Sequence, residues 1–174
     1  KLNISDGENY YLIRAVNRTA LENLNNYGLS YQNISHLISL LEKRGRVFVS
    51  FEGQTPKIFA KYELRIKPNE MHDIISHSSM FIGDSLTMST EAAFLGVPSI
   101  LISTETAFLG KYDEIFKKYK LGFSFLDYNS SLNTIRNLLE SPDKSKYVNK
   151  LELFYADMLD VNEFILENIE EYRL

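Results

Sequence analysis

GDSLTMSTEAAFLG occupies residues 83–96, between the apolar runs MFI at 80–82 and PSILI at 98–102. The stretch reads as a strand that ends in a tight polar turn, a helix that begins on hydroxyls, and a second strand directly after it. The first amides of a helix have no partner within it and lie at the positive end of its dipole. A phosphate over Ser85, Leu86, Thr87 and Met88 would therefore meet amides and hydroxyls together. Glu91 stands four residues after Thr87, one turn along the same face. A carboxylate there suits a sugar diol beside the phosphate, and phosphate plus diol points to a nucleotide. Ser and Thr are also ordinary helix caps, so simple helix-start chemistry is the competing reading. The chain carries no GxGxxG and no Walker-type lysine, which leaves dinucleotide and P-loop sites without support.

Outward from this stretch, strands and helices alternate. Short apolar runs predict strands at 10–16, 46–51, 64–66, 80–82, 97–103 and 123–125. Residues 17–29 read as an asparagine-rich loop. Ser30 caps a helix whose Ile34, Leu37, Ile38 and Leu41 recur at three and four residues, and Gly45 ends it. Pro56 fits the first position of a short helix to residue 61, since its missing amide is no loss there. Further helices are predicted at 70–77, 87–95, 111–119 and 132–140. A helical period then runs through 143–173 with a break near 158–162. The expected fold class is α/β: a doubly wound, mainly parallel six-stranded sheet with helices on both faces. Residues 1–142 would form a Rossmann-like domain and 143–174 a helical extension packed on it, with Leu151, Phe154, Leu159, Phe164, Ile165 and Ile169 in the core.

With 174 residues, 44% of them hydrophobic, the chain can bury one substantial core. A net charge of −4, without basic clusters, argues against nucleic acid as a partner. The absence of cysteine excludes disulfides, thiolate metal sites and cysteine nucleophiles. His72 and His77 stand five apart, one too many for one helix face to offer both to a metal, so no metal site is expected. No apolar run reaches the ~18–20 residues of a membrane span and no signal-like segment opens the chain, so the cytoplasm is the expected location.

Four further stretches, YYLIRAV at 10–16, VFVSFEGQTP at 47–56, MHDIISHSSMFIGDSLTMSTEAAFLGVPSILIST at 71–104 and GKYDEIFKKYKLGF at 110–123, carry a family resemblance. From Tyr11 to about Leu139 the chain resembles the carboxyl-terminal half of a prokaryotic protein family similar to GT-B glycosyltransferases and to the UDP-N-acetylglucosamine 2-epimerases. The resemblance implies a Rossmann-like half of a GT-B fold. It implies a UDP-sugar as substrate and donor rather than a permanently bound cofactor, with Ser85, the backbone of Leu86, and Thr87 on its diphosphate and Glu91 on its ribose. The epimerases have two glycines after the serine, where this chain has Leu86 and Thr87. It also implies an amino-terminal domain that this chain does not supply, so the chain alone would be inactive. The activity implied is glycosyl transfer. Nucleotide-sugar epimerisation and a noncatalytic nucleotide-binding or scaffolding module are the alternatives.

In doubly wound sheets ligands gather at the carboxyl ends of the strands, where strand order reverses. Arg14, at the end of the first strand, is expected either in an ion pair or with its guanidinium on the diphosphate. Ile66, Lys67 and Pro68 form the loop that would hold the base through main-chain groups, with a plain loop as the other reading. Glu52, closing the second strand, and His72 are the weak catalytic candidates; a turn glutamate facing water explains Glu52 equally. Asp84 is read chiefly as a brace for the turn. Thr104, Glu105 and Thr106 follow the fifth predicted strand, where Glu105 would approach the donor sugar. Apolar surface left on the last helices is expected to allow a homodimer.

Overall fold

The computed structural model describes residues 4–5, 7–16, 28–104 and 110–171. The predicted loop at 17–27 and the positions of Glu105 and Thr106 lie outside them. Five strands, β1 (Tyr10–Ala15), β2 (Arg46–Phe51), β3 (Met80–Gly83), β4 (Ser99–Ile102) and β5 (Gly122–Phe125), form one sheet in the order β2-β1-β3-β4-β5. Every pairing is parallel. Between and after the strands run α1 (Tyr31–Leu41), α2 (Met71–His77), α3 (Leu86–Phe94), α4 (Gly110–Asp113), α5 (Tyr128–Glu140), α6 (Ser145–Asp157) and α7 (Val161–Glu171).

The period-2 alternation of the central strands sorts their side chains to the two faces. Tyr11, Ile13 and Ala15 join Val49, Ile82 and Ile100 under Leu37 and Leu41 of α1 and Ile135 of α5. Tyr10 and Leu12 face the other way, with Phe48 and Phe81, against Ile74 and Ile75 of α2 and Ala92 of α3. A parallel sheet covered on both faces needs strands apolar on both sides, and β3 and β4 are buried throughout. Hydroxyl-to-ring contact between Tyr128 and His36 Nδ1, at 2.8 Å, joins α5 to α1. The Ser30 cap is realised, its side chain accepting from the Asn33 amide, and Gly96 turns the exit of α3 at φ +69°.

The sheet has five strands where six were predicted. Among the described residues, 63–66 meet β2 only through the Val49–Glu63 bridge and one Leu64 N–H to Val49 C=O bond. Leu64 and Ile66 pack into the core as side chains while Arg65 pairs with Glu63 outside it, which produces an apolar-polar alternation without a ladder. Pro56 precedes a 3₁₀ helix, Lys57–Tyr62, in an extended conformation instead of opening an α-helix. Residues 111–119 divide between α4 and a π turn, Glu114–Lys118. The predicted break near 158–162 separates α6 from α7. Of the carboxyl-terminal apolar residues expected in the core, Phe154 is buried and Leu151 partly so, whereas Leu159, Phe164, Ile165 and Ile169 are exposed.

Candidate functional site

Chain order leaves β1 in one direction to reach β2 and then returns to β1's other side for β3, so strand order reverses between β1 and β3. Beyond the carboxyl ends of these two strands lies the GDSLT turn. Gly83 closes β3 opposite Arg14, and a Cβ there would meet the Arg14 carbonyl oxygen at 2.8 Å. The next residue, Asp84, is 3% exposed. Its Oδ1 accepts the Val16 amide at 2.8 Å and its Oδ2 the Leu29 amide at 3.1 Å, while its own N–H donates to the Arg14 carbonyl at 3.3 Å. Gly28, at φ +85°, stands so close that a Cβ would lie 2.3 Å from Asp84 Oδ2. Asp84 therefore braces three chain segments, the structural role read from sequence.

Ser85 then caps α3 in an extended conformation, its hydroxyl accepting from the Met88 amide at 3.5 Å. Its carbonyl accepts the Ser89 amide at 3.0 Å. Among the described residues no acceptor meets the amides of Leu86 and Thr87, as the first turn of a helix dictates. Thr87 is exposed, and Ser85 and Leu86 are half-buried. The turn thus presents main-chain donors at the strand-order reversal. Glu91 stands a turn further on and meets His72 of α2, Oε2 to Nε2 at 3.3 Å. The two residues were singled out separately; the packing of α2 against α3 makes them a pair. Buried hydroxyl oxygens of Ser89 and Thr104 have no partner among the described residues, and Thr104 is at the end of β4 on this same edge.

The other predicted residues are arranged differently. Arg14 makes no ion pair among the described residues: its Nη1 donates to Ser50 Oγ at 2.6 Å and to the Phe51 carbonyl at 3.2 Å, toward β2 and away from β3. Its Nε is buried without a partner among the described residues. Glu52 is exposed in the turn after β2, with its amide bonded to the Ala15 carbonyl. Ile66 contributes its side chain to the core. Lys67 has its amide taken by Glu70 Oε2 at 3.0 Å, and Pro68 opens the one-turn 3₁₀ helix Pro68–Glu70. Among the described residues no three His, Asp or Glu side chains gather as a metal site. A cavity of about 340 Å³, lined by Tyr11, Ser79, Pro98 and Lys144, lies at the opposite, amino-terminal edge of the strands.

No family model and no curated protein matches the chain. Solved structures do. The chain superimposes on the wall teichoic acid polymerase TagF with a TM-score of 0.56 and 13% identity, over 98% of this chain and 46% of that one. On the glycotransferase of kitacinnamycin the TM-score is 0.53 with 10% identity, over 87% and 40%. A UDP-N-acetylglucosamine 2-epimerase gives 0.48 with 15% identity, over 84% and 38%. The architecture is that of the Rossmann-like half of a GT-B fold, as the resemblance implied. The chain spans less than half the length of these structures. Among its described residues no helix is long and apolar enough to cross a membrane.

Proposed function

We propose that this chain is the nucleotide-sugar-binding half of a GT-B-like glycosyltransferase that takes a UDP-type donor. The observation that carries the reading is the start of α3: the free amides of Leu86 and Thr87 stand at the reversal of strand order, in a fold shared with TagF and a glycotransferase. In this reading the diphosphate rests on those amides and on the Ser85 and Thr87 hydroxyls. Glu91 accepts from the ribose diol, held in place by His72. As the glycosyl bond breaks, negative charge grows on the diphosphate, and oriented helix-end amides stabilise it without having to reorganise. The acceptor site and the general base come from a second domain, and glycosyl transfer needs both halves. Arg14 acts in the wall behind the seat, where it fixes the end of β2.

Calorimetric titration of the chain with UDP and UDP-sugars tests the reading. Binding is expected, with Glu91→Ala weakening it by the worth of a charge-assisted hydrogen bond, about 1.5–3 kcal/mol or roughly 10- to 150-fold, at an unchanged melting temperature. No heat at millimolar ligand would overturn it in favour of a scaffolding module, and a sharp loss of stability in Glu91→Ala would make that residue structural.

A further inference from the structure

At the edge of the sheet opposite the candidate site, the cavity of about 340 Å³ has an apolar floor and a polar rim. Tyr11 and Met80 lie side by side on the floor, because the register of β1 and β3 pairs them, and Pro98, just before β4, joins them. All three are buried, and Leu138 and Pro142, from the end of α5 and the turn after it, form the wall. In a parallel sheet covered by helices this edge collects helix carboxyl ends, whose last carbonyls need donors. Lys144 supplies them at α2: its ammonium donates to the Ser76 carbonyl and, at 3.4 Å, to the Ser78 carbonyl.

Two such bonds leave the third N–H of Lys144 and its charge unanswered. The cation is half-buried, burial pushes its pKa below the ordinary value, and no carboxylate pairs with it among the described residues. Asp143, the acidic residue of the lining, is engaged elsewhere: Oδ1 accepts the Ser145 hydroxyl at 2.5 Å, and Oδ2 meets Lys146 Nζ at 3.4 Å. Asn9 gives its side-chain oxygen to the Ser79 hydroxyl at 3.0 Å, which leaves its NH2 group to donate. Burial, against a smaller effect of Arg44, keeps Tyr11 a neutral phenol. The rim is therefore rich in donors and holds one uncompensated positive charge. We propose that this cavity binds a small organic carboxylate, its apolar body on Tyr11, Met80 and Pro98 and its negative group on Lys144 and Asn9. A charge without the body, or the body without the charge, fits less well. The site lies at the far end of β1 and β3 from the start of α3, so it stands independently of the nucleotide reading.

The test follows backbone amide resonances of the isotope-labelled chain during titration with phenylacetate, its neutral amide phenylacetamide, and inorganic phosphate. Phenylacetate is expected to shift residues 9–11, 77–80 and 138–144, with a Kd of ~1 mM or tighter. Phenylacetamide and phosphate should each bind about tenfold more weakly. Lys144→Met keeps the stem and removes the charge, and should weaken phenylacetate by about tenfold. Should loss of the Ser76 and Ser78 contacts unfold that variant, Asn9→Asp decides, since it keeps the acceptor for Ser79 at an exposed position and replaces the donor by a like charge. It should weaken phenylacetate by about tenfold and leave phenylacetamide unchanged. Equal binding of acid and amide, phosphate as tight as phenylacetate, or shifts gathered at 85–88 instead would overturn the proposal. So would no shift at ~10 mM phenylacetate, or undiminished binding by a folded Lys144→Met or Asn9→Asp chain.

Discussion

Asp84→Ala probes the corner on which the candidate site is built. The carboxylate is 3% exposed and accepts the Val16 amide at 2.8 Å and the Leu29 amide at 3.1 Å. Alanine leaves both donors facing a void. Each amide deprived of a charged acceptor costs about 1–3 kcal/mol, and partial access of water to both places the sum near 3 kcal/mol. For a chain of this length such a loss lowers the melting temperature by about 6–12 °C. In urea the midpoint should fall at constant slope, since the surface exposed on unfolding barely changes. Asp84→Asn keeps one acceptor but turns an amide donor toward one of the two N–H groups, so most of the loss should remain. An Asp84→Ala variant within ~0.5 kcal/mol of the parent would refute the brace and leave Asp84 free for another role.

Gly28→Ala should destabilise through both its φ of +85° and the 2.3 Å approach to Asp84 Oδ2. In the Gly28→Ala, Asp84→Ala double variant the collision is gone, so denaturation should show a loss smaller than the two single losses combined. Burial, with a smaller contribution from the charge of Asp73, pushes Tyr10 up to about 12, and burial does the same to Tyr128. Because both values are raised, the stability they contribute is complete below pH 10 and is lost as pH climbs toward 12, which urea midpoints across that range will show. Tyr10→Phe should flatten the decline, and should itself cost about 1 kcal/mol because the Ile74 carbonyl loses its donor. Asp127 caps α5, and the Ser130 amide holds its carboxyl below the ordinary value of 3.8. Its stabilisation is therefore present above that pH and is lost as pH falls through the lower folded value, and in Asp127→Ala this acid-side portion of the stability curve should disappear.

The sheet was legible where apolar runs were bounded by turn residues. β3, the GDSLT turn, α3 and β4 follow one another as residues 80–102 suggest, because burial on both faces leaves these strands no exposed positions. The 64–66 segment misled because two side chains entering a core alternate like a strand even where the backbone finds no partner. α5 begins at Tyr128, four residues before the predicted start at 132, since its start is set by the Asp127 cap. At the site, the cap and the exposed helix start were local and could be read. The His72–Glu91 pair joins residues on two different helices, and the Arg14 bonds reach across to β2; no spacing along the chain announces either. The break between α6 and α7 was legible, since the helical period over 143–173 falters near 158–162, but periodicity reports a face without saying whether anything covers it.

The position of β1 sets an order of events during synthesis. As the chain leaves the ribosome β1 can pair at once with β2, but its other edge must wait for β3, which begins 65 residues after β1 ends and whose register sets Tyr11 against Met80. Until then one edge of the sheet's central strand displays an open row of amides and carbonyls. Parallel closures over such a distance are slow. The translation interval between Phe51 and Gly83 is accordingly the period in which this polypeptide is most exposed to wrong strand partners, and in which a chaperone would protect it most.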